Sequence, residues 1–403
     1  MHKIIVSQIG SRRRYMVPQI LQSNNLLECL YTDSYCNSLL GRLLRLLDKM
    51  GISNAEIKRL MRRNPSLPKN KIYANDYLQF KLLFHRLVKS PSIVFKNLRF
   101  EGSSFWFIRK GVRNATILYN MFIENYEFAE YAKKKGLKII CDIYENPYIF
   151  KELSDDILTI PEYSCIKDMA QGCLESYELR MKYLEKMLTI SDVYLIPSTY
   201  VAESLKYNSS YNPQKAHVIP YASSIKKSTK NNNPQKGRII WIGSDPVRKG
   251  LVYCERASKE LRKRYPFVDF RIIGSIVNAI TDSEEFKDLN FIGRLNKEQL
   301  EEEYRNADMF VFPTLSEGFS GALLEAASYG VPVITTHASG FEEDFPGIFI
   351  SQRSTDDIVN AVSRLIENRE ERNIISQQLY EYSQNIDKHE FEKKLIELIN
   401  TIE

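Results

Sequence analysis

The chain has 403 residues, enough for two domains, and its 43% hydrophobic and 26% charged content suits a soluble globular protein and excludes a disordered or fibrous one. A net charge of +6 is too mild for a dedicated nucleic-acid binder, and the basic residues lack the interleaved aromatics of a single-strand surface. Six scattered cysteines form no C-x-x-C pair and no zinc spacing, which points to a reducing, cytoplasmic setting. No apolar run approaches the ~20 residues of a membrane span, and KIIVSQIG near the start is too short and alternating for a secretory core.

In chain order, KIIVSQIG and LECLYTD read as strands around the helix PQILQSNN. Between them lies IGSRRRYMVPQ, where Arg12, Arg13 and Arg14 follow a strand end; one of them could reach an anionic acceptor or a diphosphate, and the others are expected in solvent. Residues 36–107 read as an insertion, mostly basic amphipathic helix. NSLLGRLLRLLDKMG has leucines at helical spacing with Arg and Lys between them, which fits either an interfacial helix on anionic lipid or a helix docked on the sheet with a basic outer face. ATILYNMF and LKIICDIY are strands flanking EFAEYAKKKG. A long helix from about Ile166 to Thr189, the strand DVYLIPS and the segment HVIPYA complete a first domain over 1–222.

The stretch 223–237 is polar and aperiodic, a linker composition. Beyond it the strands GRIIWIGS, VDFRIIGS, LNFIGRL, DMFVFPT, PVITT and GIFIS alternate with helices, among them about Leu251 to Arg264 and about Ser320 to Tyr329. Continuous apolar strands separated by helices require a parallel sheet covered on both faces, so 238–385 is a second doubly wound α/β domain. Two such domains joined by one linker enclose a cleft at the carboxyl ends of their strands. The last segment, 386–403, is expected to be a helix that crosses back to the first domain.

The strongest motif is SEGFSGALLEAASYG, Ser316 to Gly330: a strand end, a loop and a helix start. Gly318 and Gly321 would let a ligand approach the backbone, and the helix N-terminus offers free N–H groups and positive dipole to a diphosphate. Glu317 and Glu325 stand roughly 10 Å apart along the axis, a separation that suits a grip on donor-sugar hydroxyls at one end and ribose hydroxyls at the other. The alternative is a dipole-complementing Glu at the helix start and a surface Glu further in. Arg248 and Lys249 follow the strand IIWIG, where two cations would neutralise the charge building on a departing diphosphate; otherwise they form a solvated basic turn.

The E-x-x-x-x-x-x-x-E spacing from Glu317 to Glu325 resembles the retaining glycosyltransferases of family 4, which have the GT-B fold. IIWIGSDPVRKG, FIGRLNKEQLEEEYRNADMFVFPT, SDVYLIPSTYVAESL and HVIPYA resemble further segments of that family in the same order. The resemblance implies two Rossmann-like domains facing a cleft, catalysis by Glu317, Arg248 and Lys249, and donor contacts from Gly10, Gly293, Arg294, Gly318, Phe319, Ser320, Gly321 and Glu325. It implies a nucleoside-diphosphate sugar as co-substrate, no cofactor and no metal, retention of anomeric configuration, and a leaving diphosphate that itself takes the acceptor proton. Many members place a histidine after the strand that corresponds to LKIICDIY; here the segment is CDIYENPYIFKEL, so Asp142 or Glu145, with Arg12 and Arg13, are the acceptor-side candidates.

No D-x-D, no G-x-G-x-x-G after a strand, no G-x-S-x-G and no P-loop is present. The expected partners are a nucleotide sugar and a glycan or lipid-linked acceptor, as in surface polysaccharide synthesis, with contact to an anionic membrane on the inner face of the plasma membrane as one of two readings of the insertion. The competing functions are a nucleotide-sugar epimerase or hydrolase, and a non-catalytic nucleotide-sugar-binding partner.

Overall fold

The computed structural model describes residues 2–52, 55–87, 103–221, 230, 233–386 and 388–403. The expected linker over 223–237 therefore lies largely outside the described residues.

Two parallel sheets organise the chain. The first contains β1 (Ile4–Gln8), β2 (Leu27–Asp33), β3 (Ile72–Asn75), β4 (Ile117–Met121), β5 (Lys138–Asp142), β6 (Val193–Ile196) and β7 (Ala216–Val218), in the order β3-β2-β1-β4-β5-β6-β7. The second contains β8 (Arg238–Ile242), β9 (Asp269–Ile273), β10 (Asn290–Gly293), β11 (Met309–Phe312), β12 (Val333–Thr335) and β13 (Ile348–Phe349), in the order β10-β9-β8-β11-β12-β13. β1 and β11 are buried along their whole length because helices cover both faces. In β1 the two-residue period splits the side chains: Ile5 packs into one layer of the core, Ile4 and Val6 into the other. The strand order reverses between β1 and β4, and again between β8 and β11, the positions where open α/β sheets bind ligands.

The segment expected to be a helical insertion, 36–107, also contributes to the first sheet. β3 pairs in parallel with β2, Leu30 opposite Ile72 and Asp33 opposite Asn75. As an edge strand of four residues, three of them only partly buried, it lacks the apolar run that marks the other strands.

Helices pass between the domains in both directions. The last helix, Lys388–Asn400, packs Phe391, Leu395, Leu398 and Ile399 into the core of the first domain beside Ile4, Val6 and Leu27. In return the helix Ile149–Thr159 and the turn Pro161–Ile166 bury Ile149, Leu153, Ile157 and Tyr163 in the core of the second. Charged pairs pin this exchange: Arg256 grips both oxygens of Glu162 (2.6 and 2.8 Å), and Arg353 reaches Glu152 and Asp156 (3.0 Å each). Among the described residues no helix is long and apolar enough to cross a membrane.

Candidate active site

The second domain builds one wall of the site from the loops after β8 and β11. Trp241 Nε1 on β8 donates to the Lys249 carbonyl oxygen (3.0 Å), and the Arg248 carbonyl accepts from Leu315 N (2.8 Å) and Thr314 Oγ1 (3.1 Å), so the two loops are laced together. A Cβ on Gly243 would come within 2.3 Å of Lys249 Cδ; glycine there lets the lysine stem lie across the strand end. Lys249 Nζ then stands 4.5 Å from the centre of the Phe312 ring. Arg248 is oriented by Asp245, which accepts from its backbone N (3.1 Å) and its Nε (3.2 Å), and it donates through Nη1 to Ser316 O (2.7 Å).

Both cations converge on one carboxylate oxygen. Glu317 Oε1 lies 2.8 Å from Arg248 Nη1 and 2.9 Å from Lys249 Nζ. Burial by itself would raise the Glu317 pKa, but Lys249 and Arg248 outweigh it and hold the carboxyl below the ordinary range. Lys249 is pushed down, first by burial and then by Arg248, with Glu317 opposing. Burial would likewise lower Arg248, yet Glu317, Asp245 and Glu145 raise it. With Asp245 the two cations and two carboxylates balance, so an arriving anion such as a diphosphate would compete with Glu317 for Arg248 and Lys249.

The glycines of the motif divide into two roles. A Cβ on Gly318 would stand 2.0 Å from the Tyr144 carbonyl oxygen of the first domain, and Ser198 Oγ donates to Gly318 O (2.7 Å), so this glycine is required by domain contact rather than by a ligand. Around Gly321, Gly293 and Gly10 nothing lies within 4 Å of the Cβ direction, so each leaves room for a ligand to approach. Ser320 is the N-cap of the helix Gly321–Ser328 without a side-chain capping bond, and it is held through its own N–H by Ser339 O (3.0 Å). Phe319 lines a cavity of about 340 Å³ that both domains share with the last helix. Glu325 is exposed as a residue and accepts from Tyr304 Oη (3.2 Å); desolvation of its carboxyl by the packed groups around it pushes the pKa up, against Tyr304 and against Arg14 of the other domain. Arg294 is exposed beside Gly293 at the end of β10.

The facing wall comes from the loops after β1, β4 and β5. Arg13, Arg14 and Tyr15 occupy the left-handed region one after another, at φ 48°, 51° and 62°, and Phe122 and Asn125 after β4 do so too, at 41° and 55°. Each costs about 1–2 kcal/mol for an L residue, so the surrounding contacts must hold them. Gly10 N donates to Asp33 Oδ1 (2.9 Å), and Gln8 Nε2 donates to Gly10 O (3.0 Å) and Arg12 O (3.2 Å). Arg12 reaches Glu124 Oε1 (2.9 Å) and lies 3.7 Å from the centre of the Tyr144 ring. Arg13 reaches Asp142 Oδ1 (3.0 Å) over the face of Tyr221. Gln8 Oε1, Arg12 Nε, Arg13 Nη1, Tyr15 Oη, Asn120 Oδ1 and Asn125 Oδ1 are buried without a hydrogen-bond partner, and all six cluster at the ends of β1 and β4.

The acceptor-side candidates of this wall are placed as follows. Asp142 is fully buried and takes hydrogen bonds from Arg13, Tyr119 Oη (2.6 Å) and Tyr221 Oη (2.9 Å). Arg12 and Arg13 are not open cations, because Glu124 and Asp142 each neutralise one; Arg14 is the exposed member of the three. Glu145 remains at the cleft. Arg180 holds it (Nε to Oε1, 3.1 Å), and its charge acts on Arg12 from one domain and on Arg248 from the other.

A family model described as glycosyl transferases group 1 matches residues 236–368. Over those residues the second domain is similar to that family. The chain is 27% identical over 166 residues to a sulfoquinovosyl transferase of Arabidopsis thaliana, covering 39% of this chain and 32% of that protein. It is 23% identical over 335 residues to an alpha-galactosylglucosyldiacylglycerol synthase of Streptococcus pneumoniae, covering 80% and 82%. The first alignment thus spans about a third of its relative, whereas the second spans most of it. A mutant of TarM from S. aureus, in complex with fondaparinux, alpha-GlcNAc-glycerol and UDP, superposes over the full length of both chains with a TM-score of 0.65 at 11% identity. The architecture is GT-B.

The structure brings Glu317, Arg248 and Lys249 together as the sequence suggested, and adds Asp245, which aims Arg248, and Tyr304, which bonds to Glu325; neither was singled out from the sequence. The D-x-x-R-K run over Asp245–Lys249 was available as a local signal for the first. On the facing wall Glu124, Tyr144 and Arg180 were missed, and no local signal marks them: Arg12 and Glu124 are 112 residues apart.

Proposed function

We propose that the protein is a retaining glycosyltransferase of the family 4 type, which moves a sugar from a nucleoside-diphosphate donor to a glycan or lipid-linked acceptor in surface polysaccharide or glycolipid synthesis. The observation that carries this reading is the Arg248–Lys249–Glu317 triad, set at the strand reversal of the second domain beside an uncapped helix N-terminus and the open Gly321. The donor diphosphate lies against Arg248, Lys249 and the free N–H groups of the helix, which stabilise the charge that develops as it leaves. Glu317, released from part of its ion pairing, meets the donor-sugar hydroxyls, and Glu325 meets the ribose. Gly10 and Gly293 leave space for the phosphates and the base, with Arg294 at the rim.

The diphosphate oxygen takes the acceptor proton on the face from which it departs, so the protein supplies position and electrostatics rather than a strong base. The reading needs no resident cofactor or metal, because the two cations serve the diphosphate directly. The acceptor enters along the first domain, where Glu145 and Arg14 are the charged groups open to the cleft. The enzyme works at the cytoplasmic membrane surface as a peripheral protein.

The test is a thermal-shift panel of nucleoside diphosphates followed by a transfer assay that reads diphosphate release. One diphosphate should raise the melting temperature of the wild type, and Glu317→Ala and Lys249→Ala should lose transfer while remaining folded. Full activity in either variant would overturn the assignment. Complete conversion of donor with no acceptor present would replace transfer by epimerase or hydrolase chemistry.

A further inference from the structure

Residues 36–107 contain fourteen Lys and Arg against four Asp and Glu, a net +10, so the rest of this +6 chain is net −4. The helix Leu39–Lys49 within it presents two apolar faces. Leu40 and Gly41 are buried against the body of the protein, with Leu44 and Leu47 half-buried beside them. On a second face Leu39, Leu43, Leu46 and Met50 recur at helical spacing within an arc of about 60°, and all four are 54–80% exposed. Arg42, Arg45 and Lys49 flank this stripe along one side. One carboxylate joins a second helix to the first: Asp76 accepts from Ser34 Oγ and Ser38 Oγ (2.6 Å each) and from Leu40 N (3.3 Å), bringing the helix Asp76–Leu87 to the start of Leu39–Lys49. That second helix exposes Tyr77, Phe80 and Phe84 at i, i+3 and i+7.

We infer that these two helices form a docking surface for an anionic lipid bilayer. Leucine and aromatic side chains rimmed by arginine and lysine match the layering of a membrane interface: acyl boundary below, phosphate headgroups at the rim. The charge argues for this occupant over a protein partner, since the net positive charge of the chain is concentrated in the segment that carries the exposed apolar stripe.

The surface is also tied to the candidate active site. It begins at the carboxyl end of β2, the edge of the sheet that carries the Gly10 loop, and Asp33 at that strand end accepts from Gly10 N and from Arg63 Nη1 (2.7 Å). A bilayer seated on the two helices therefore lies beside the first domain's side of the cleft, where a lipid-linked acceptor can enter without leaving the membrane. Docking itself needs neither donor nor acceptor; only this last consequence rests on the proposed transferase reading.

The test is co-sedimentation of the full-length protein with vesicles of phosphatidylglycerol and phosphatidylcholine, and with phosphatidylcholine alone, at low and high salt. Binding should be at least about tenfold stronger on the anionic vesicles and weaken with salt. The double variant L43E/L46E should lose at least about tenfold in vesicle binding while keeping the wild-type melting temperature and nucleoside-diphosphate shift. A protein that ignores anionic vesicles, or a double variant that binds them as the wild type does, overturns the proposal. So does salt-insensitive self-association abolished by the same substitutions with no vesicle binding. Failure of donor binding in the thermal-shift panel leaves this result untouched, so the two readings fail separately.

Discussion

The two walls of the cleft solve opposite problems. The wall from the second domain is a short-range construction: Asp245, Arg248, Lys249 and Glu317 come from two loops laced by backbone bonds, and every charge in it has a counter-charge within about 3 Å. The wall from the first domain is assembled from distant parts, with three consecutive left-handed residues and a cluster of buried polar atoms lacking partners. Glu317 Oε1 is ion-paired yet buried without a well-directed hydrogen bond, so the walls differ less in polar satisfaction than in construction: one gathers neighbouring charges, the other holds three strained residues.

The largest expected effect separates the roles of the arginines. Arg13→Ala would strand Asp142, fully buried between two tyrosines, without its cation, and should destabilise the first domain by about 3–5 kcal/mol. Arg14→Ala should leave chemical denaturation unchanged within about 0.5 kcal/mol, because Arg14 is exposed. Equal stability losses for the two would break the distinction between clamp and open cation.

On the wall from the second domain, Lys249→Ala should lower turnover by about 100- to 1,000-fold, the usual cost of removing one preorganised electrostatic partner, with little change in melting temperature because Arg248 still pairs with Glu317. The same triad sets a pH dependence. The Glu317 pKa is depressed in the folded protein, so its contribution to stability is fully present above the ordinary value of 4.5 and is lost as pH falls through the depressed one. In Glu317→Gln that acid-side loss should vanish from a melting-temperature profile. An unchanged profile would mean that the triad does not form in solution.

Legibility followed the same division. β11, four buried residues that end three residues before the glutamate motif, could be read directly, as could the spacing of Glu317 and Glu325, because both are written within one short stretch of chain. The edge strand β3 was hidden among basic helices, since a half-exposed edge needs no apolar run. The pairs Arg12–Glu124 and Arg13–Asp142 join residues 112 and 129 apart, so no local pattern announces that these arginines are already neutralised. The leucines of Leu39–Lys49 fitted both a docked helix and an interfacial helix because the helix buries one apolar face and exposes another.

Gly318→Ala tests the contact between the walls. The added methyl would meet the Tyr144 carbonyl at 2.0 Å, an overpacking worth about 1–3 kcal/mol against domain closure. Transfer should fall by about tenfold or more while nucleoside-diphosphate binding to the second domain persists. Gly321→Ala, which meets nothing within 4 Å, should do the reverse: the domains close as before and the diphosphate binds less well.

The smallest effect is the most diagnostic for the first domain. Arg14 sits at φ 51° with its side chain in solvent, so its left-handed backbone costs about 1–2 kcal/mol and gains no buried contact in return. Arg14→Gly removes that penalty and restores about 0.5–1 kcal/mol of unfolded-state entropy, leaving a net stabilisation of up to about 1.5 kcal/mol by urea denaturation. If the strain exists to hold a guanidinium toward the cleft, the same variant must transfer sugar more slowly than the wild type even though it is the more stable protein. A variant that gains stability and keeps full activity would show that the left-handed turn serves only to start the following helix, and the contrast between the two walls would then reduce to how each satisfies its charges.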